Sequence, residues 1–215
     1  MKKNGINLNK ISKLVVLTLE NGIRLHFDSI LLFENESYPS AYFLSILALE
    51  ELGKVTLLEN FIYHSETSQA YSKREDQQEY LDSIFKHQLK QKVFARDAED
   101  FVPKKILADF RSGKIEILKQ NAVYVGLERT KRKTNLKGKT ISPYQVGMKK
   151  ARQQITVVND FLLFITLGTI KGVYALDTEG VELMLDGDLL SELTDQWKFK
   201  SRRASNMVKQ LQSID

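Results

Sequence analysis

A chain of 215 residues with 42% apolar and 27% charged residues can bury a sizeable core, and this composition excludes a disordered or fibrous protein. The absence of cysteine excludes disulfides and thiolate chemistry. The formal net charge of +5 is unevenly placed: nine basic residues and no Asp or Glu lie between Arg129 and Asn159, leaving 23 basic against 27 acidic residues elsewhere.

Met1 to Lys10 is polar and lacks the apolar segment of a signal peptide. The longest apolar stretch, near Phe161 to Ile170, falls short of the ~20 residues a membrane helix needs. A cytoplasmic protein with no membrane partner is therefore expected. Three prolines and eleven glycines are few breakers, which favours long helices.

In chain order, Ile11 to Phe33 is expected to be helical. Val16, Leu19, Ile23, Phe27, Ile30 and Leu31 recur with helical spacing, and Gly22 weakens the middle. Glu34-Asn35-Glu36-Ser37 breaks it. Ser37 to Tyr63 is the strongest helix, with Ser37 as cap and Pro39 in the first turn. Ser65 to Arg74 is turn-like. A third helix is expected from Glu75 to about Ala95, with Leu81, Ile84, Phe85 and Leu89 on one face. A fourth runs from Pro103 to about Glu128 through Ile106, Phe110, Ile115, Leu118, Val123 and Tyr124. A basic loop spans Lys131 to Thr140, and Pro143 opens a fifth helix that reaches Ile170. Two apolar runs around Asp177-Thr-Glu-Gly180 predict a small β-hairpin at 173–184. A short helix over Leu189 to Trp197 and a polar terminal segment over Ser201 to Ile214 complete the chain. The expected fold is all-α, an antiparallel helical bundle over 10–170 with an appendage over 171–215.

The second helix carries the most information. At about 100° per residue, Phe43, Ile46, Leu47, Leu57, Leu58 and Phe61 fall on one arc. Glu50 and Lys54 fall within that arc and Glu51 at its edge, while Ala41, Ser45, Thr56, Glu59 and Asn60 lie opposite. Charges are rarely buried without partners, so this arc holds either an internal Glu50–Lys54 pair, four residues apart, or a site in the bundle core. Gly53 between them would let another helix approach closely. On the third helix His87 is expected on the flank opposite Leu81, Phe85 and Leu89, beside Ser83, Lys90 and Phe94. A histidine there could serve as general acid or base, or could simply be exposed, and Lys90 on the same face could stabilise a phosphate. His26 has no matching polar neighbourhood in the sequence, and His64 sits at a helix end. Glycine-rich phosphate loops, HExxH and Gly-x-Ser-x-Gly are absent, and three scattered histidines without cysteine point away from a transition metal. No cofactor and no metal are expected. The basic residues Arg129, Lys131, Arg132, Lys133, Lys137 and Lys139 could contact phosphates, or could form a solvated face.

The string Ser40-Ala-Tyr-Phe-Leu-Ser-Ile-Leu-Ala-Leu-Glu-Glu-Leu-Gly-Lys54 resembles the signature helix of AbiV-type HEPN proteins, an abortive-infection family. Asp28 in the preceding helix, Phe85-Lys-His-Gln-Leu-Lys90, Asn121-Ala-Val-Tyr-Val125 and the Ser142-Pro143 helix start extend the resemblance over roughly 10–170. It implies a HEPN bundle, often a homodimer, in an antiphage or toxin-like system with a phage-encoded trigger. Many HEPN proteins are metal-independent endoribonucleases, so RNA is an implied partner. The residues carried over are His87, Lys90, Glu51, Lys54 and Glu50. The common HEPN ribonuclease motif places a histidine four to six residues after an arginine, and no arginine here has one at that spacing. That departure keeps open a second reading, a non-catalytic protein that binds a phage or translation-apparatus protein.

Overall fold

The computed structural model describes residues 6–67, 74–99, 102–130, 133–173, 178–202, 204–206 and 209. Its frame is an antiparallel pair, α1 (Leu8–Glu34) and α2 (Tyr38–Thr67), turned over at 35–37, where Glu36 takes the left-handed backbone conformation at φ 58°. Helix α3 (Arg74–Ser83), α4 (His87–Asp97), α5 (Lys104–Arg111) and α6 (Lys114–Asn121) follow. A 3-10 turn at Pro143–Gln145 leads into the long α7 (Met148–Ile170), then α8 (Glu179–Glu182) and α9 (Gly187–Gln196). Helices α4 and α7 both pack on α2, and α9 packs on α7. The fold is all-α with a small hairpin, as the residue pattern implies.

Helix α2 is the axis of the bundle. Of the arc read from its sequence, Ile46, Glu50, Leu57, Leu58 and Phe61 are buried while Phe43 and Leu47 are only half-buried, and Ala41, Ser45 and Glu59 are buried on the side expected to face away. The reason is that α1 and α7 cover that side, and small residues let them approach. Helix α1 shows the same effect. Its buried face is Ile11, Val15, Leu19, Gly22, Leu25, His26, Ser29 and Ile30, whereas Val16, Ile23 and Phe27 are only half-buried and Leu31 is exposed. Small and polar residues mark the close contacts that apolar periodicity misses.

Two expected helices are divided. The third breaks at Ile84-Phe85-Lys86, where the Ser83 hydroxyl donates to the Tyr80 carbonyl, so Phe85 turns outward while Lys90 and Phe94 turn inward. The fourth breaks at Gly113, whose φ of 74° suits a residue without Cβ, and α6 ends at Asn121 with Val123 and Tyr124 exposed. The hairpin also lies elsewhere than 173–184. Strands β1 (Gly126–Leu127) and β4 (Thr140–Ile141) pair antiparallel, and β2 (Arg129–Thr130) pairs with β3 (Lys133–Thr134) inside them. Residues 174–177 lie outside the described residues, and Val181, expected in a strand, belongs to the helical turn α8. Val181 and Leu185, one turn apart, are both buried, and Gly180 seats that turn against Val16.

The core runs through Phe61, Phe94, Phe110 and Phe161, with the Phe94 and Phe161 rings 4.8 Å apart. Helix α7 is, by length and composition, long and apolar enough to cross a membrane, which the apolar run at 161–170 alone does not reveal. Within the bundle 67% of its most apolar window is buried. After α9, Trp197 packs edge-on to Phe33 and donates from Nε1 to Thr156 Oγ1 at 3.1 Å, which ties the segment beyond α9 to α1 and α7.

Candidate functional site

The buried carboxylate of Glu50 is the centre of a polar cluster between α2, α4 and α6. Its Oε1 accepts from Lys119 Nζ at 2.8 Å and from Gln91 Nε2 at 2.8 Å. Its Oε2 lies 2.6 Å from His87 Nδ1 and 3.8 Å from Lys90 Nζ. Glu116 joins the far side, with Oε2 at 2.7 Å from Lys119 Nζ and 3.2 Å from Gln91 Nε2. A buried charge is tolerated only where partners replace the lost water, and Glu50 has four of them.

The backbone makes this convergence possible. A Cβ on Gly53 would stand 2.2 Å from the Lys90 carbonyl oxygen, so α4 crosses α2 at a point only glycine allows. That crossing brings His87, Lys90 and Gln91 over Glu50. From the other side, Lys119 follows the buried Ile115 by one turn of α6 and is carried inward on the same face.

The charges are tuned by burial and by one another. Burial pulls the Lys90 ammonium below the ordinary lysine range; Glu50 and Glu51 oppose this, while Lys54 and Lys119 add to it. For Glu116 burial pushes upward, but the hydrogen bond and charge of Lys119, with smaller help from Gln120 and His87, leave the carboxyl below its ordinary value.

Of the five residues singled out from the sequence, Glu50, His87 and Lys90 are brought together. Of the two alternatives for this arc, the internal Glu50–Lys54 pair is not the one made. Lys54 Nζ lies 3.4 Å from Glu51 Oε2 and 5.9 Å from the centre of the Phe85 ring, beside the Glu50 cluster rather than in it. Lys90, expected on a polar flank, is buried, because the break before His87 rotates α4 relative to α3. Gln91, Glu116 and Lys119 were not singled out. Lys119 carried a readable signal, a lysine one turn after a core isoleucine. Gln91 and Glu116 carried none.

The side chain of His87 is 54% exposed, while Glu50 beneath it is 2% exposed. With Nδ1 facing a buried carboxylate, the neutral ring holds its proton on Nδ1 and presents the Nε2 lone pair outward. A buried acceptor fixing a half-exposed imidazole is an arrangement suited to proton transfer.

Among the described residues, the ligand atoms of Glu50, His87 and Glu116 lie within 4.8 Å of one another, a spacing that could hold a metal ion. The Lys119 ammonium already lies within 2.8 Å of both carboxylates, so the chain supplies the cation between them itself.

The basic segment lies apart from this cluster, on the hairpin and the start of α7. Lys137, Lys139, Lys149 and Lys150 are exposed, and Arg129 and Lys133 belong to strands β2 and β3. Lys131 and Arg132 lie outside the described residues. The described backbone places the segment as a two-stranded antiparallel ribbon, not the loop expected from 131–140.

His26 has the opposite environment to His87. It is wholly buried, and its Nε2 donates to Asn159 Oδ1 at 3.0 Å. Burial lowers its pKa to about 4, with the Asn159 hydrogen bond acting the other way.

The AbiV family model of HEPN domains matches residues 10–162, which include the whole Glu50 cluster. No curated protein and no solved structure matches the chain.

Proposed function

The chain belongs to the AbiV family of HEPN domains, an abortive-infection family, and from that membership we propose that it is a toxin-like antiphage effector that cuts RNA without a metal. The observation that carries this reading is the 2.6 Å contact between buried Glu50 and half-exposed His87. His87 Nε2 takes the proton of a ribose 2′-hydroxyl as the 2′-oxygen attacks the adjacent phosphorus. The 2′-O–P bond forms and the P–O5′ bond breaks, leaving a cyclic phosphate and a 5′-hydroxyl that receives a proton from His87 or water. Lys54 and Lys90 stabilise the charge that develops on the phosphoryl oxygens, Glu51 orients Lys54, and the basic ribbon holds the RNA backbone. We place this chemistry in the cytoplasm, in a homodimer released by a phage-encoded trigger. Exposed Phe85, Ile117 and Leu31 supply apolar surface for a second copy.

The test is cleavage of labelled RNA in excess chelator by wild type, His87→Ala and Glu50→Gln. A loss of roughly a hundredfold or more is expected in each variant. RNA left intact by wild type, with and without chelator and after phage challenge, would sink the nuclease reading. One observation favours a second reading: no arginine precedes a histidine at the usual HEPN spacing. On that reading the Glu50 cluster is structural and the chain arrests translation by binding a protein. Phage protection by His87→Ala equal to wild type, with total RNA intact, would select it.

A further inference from the structure

We propose that Tyr144 and the groove beside it form a nucleobase-stacking subsite, so that the chain takes single-stranded RNA in preference to a duplex. This rests on the RNA reading of the His87 site. It adds a surface that the ion-paired cluster does not contain.

Tyr144 is 90% exposed, yet it stands on a braced turn. Pro143 opens the 3-10 turn, Gln145 Nε2 donates to the Thr140 carbonyl at 2.9 Å, and Val146 N donates to the Pro143 carbonyl at 2.9 Å. Val146 is buried. An aromatic ring held out on a fixed backbone loses its packing but keeps its place, the condition a stacking platform needs.

The ring borders a groove of about 870 Å³ walled by Tyr38, Phe43, Leu44, Val123 and Val125. Helix α2, and α6 with the turn that follows it, lead from this groove to the His87 site: Phe43 on α2 and Val123 just past α6 line the one, Glu50 and Lys119 the other. The seven residues from Phe43 to Glu50 span about 10 Å of helix, so one bound strand can reach both.

Charge complementarity decides the occupant. Exposed Lys137, Lys139, Lys149 and Lys150 lie within seven positions of Tyr144, in a run from 129 to 159 that holds no acidic residue; the nearby carboxylates are Glu128, which accepts from Lys139 N at 3.4 Å, and Glu36, which lines the groove. Four exposed ammoniums against two carboxylates fit a polyanion, and an exposed tyrosine among them fits a polyanion with free ring faces. A single strand offers these, whereas a duplex keeps its bases stacked inside.

The experiment measures binding separately from cleavage. Fluorescence anisotropy over a series of salt concentrations compares a single-stranded 2′-O-methyl RNA of about 12 nucleotides, which lacks the attacking hydroxyl, with its duplex, a length within the range such grooves hold. Tyr144→Ala is expected to weaken single-strand binding about tenfold, Tyr144→Phe to retain it, and neither to alter duplex binding. Lys137→Ala with Lys139→Ala should weaken both RNAs and lower the salt dependence, which Tyr144→Ala leaves unchanged. Tyr144 is exposed and makes no core contact, so a normal melting curve confirms that the variant is folded. Single-strand affinity unchanged in Tyr144→Ala, or equal losses on duplex and single strand, overturns the proposal and gives the groove to a protein partner. Tyr144-dependent binding without cleavage by wild type keeps the subsite and removes the nuclease reading. Cleavage that does not depend on Tyr144 does the reverse.

Discussion

Two buried polar regions lie in one bundle, one between α2, α4 and α6 and the other between α1 and α7, yet each treats its histidine differently. Around Glu50 the groups are charged, mutually neutralised, and open to solvent through His87. Around His26 and Asn159, between α1 and α7, the groups are neutral amide and imidazole, and nothing of His26 is exposed. The first environment holds its ring half-exposed at the surface. The second keeps its ring neutral until about pH 4. Partner charge and access to water, rather than residue type, separate a candidate catalytic histidine from a structural one.

The comparison is broken most forcefully by removing the internal cation. Lys119→Ala leaves Glu50 and Glu116 facing each other across a buried gap, and a loss of about 3–5 kcal/mol in urea unfolding is expected. Lys119→Met, which fills the volume, should recover part of the packing but not the charge balance.

Acid should separate the two regions next. His26 has its pKa lowered from 6.5 to about 4, so its stabilisation is complete above about pH 6.5 and is lost as pH falls toward 4. That loss is on the order of 3 kcal/mol. Asp160, which follows Asn159 on α7, opposes this. Burial raises its carboxyl from 3.8 to about 6, against the hydrogen bond that it accepts from Ser201 N and the charge of Lys200. Its contribution is complete below about pH 3.8 and is lost as pH rises through 6. Between about pH 6 and 4 the two groups offset each other. Asp160→Asn keeps an acceptor for Ser201 and removes the counterweight, so the variant should be more stable than wild type near pH 7. It should also lose more stability on acidification. Unfolding midpoints at the two ends of that range check both signs.

A steric test of the first region is smaller. Gly53→Ala forces α4 off α2, because the new methyl meets a backbone oxygen that no rotamer can move, and about 1–3 kcal/mol should be lost. Since His87, Lys90 and Gln91 all ride on α4, activity should fall more than stability, which comparison of melting and RNA cleavage would reveal. The smallest effect on stability is expected from His87→Ala. A half-exposed ring leaves little cavity, so the loss should stay under about 1 kcal/mol while cleavage disappears. A large loss of stability would instead make His87 a structural residue like His26.

The α1–α2 hairpin and the length of α2 were legible, because apolar spacing and the polar break at 34–37 act locally, whereas Pro143 opens only a 3-10 turn and α7 itself starts at Met148. So was the oddity of Glu50, since a carboxylate on an apolar arc is visible in a helical projection. The breaks at Ile84-Phe85-Lys86 and Gly113 were not. Both flanking segments have helical composition, and only packing against α2 shows where the chain must turn.

The sequence by itself therefore determined the class of fold, the axial helix, and the presence of charged residues that burial would force into pairs. Tertiary structure alone decided which pairs. Glu50 meets Lys119, sixty-nine positions away, and not Lys54 one turn along, because α4 crosses α2 at Gly53 and α6 packs beside it, so both deliver polar groups to Glu50. A local period tells which way a side chain faces, while its partner is chosen by the helix that packs there.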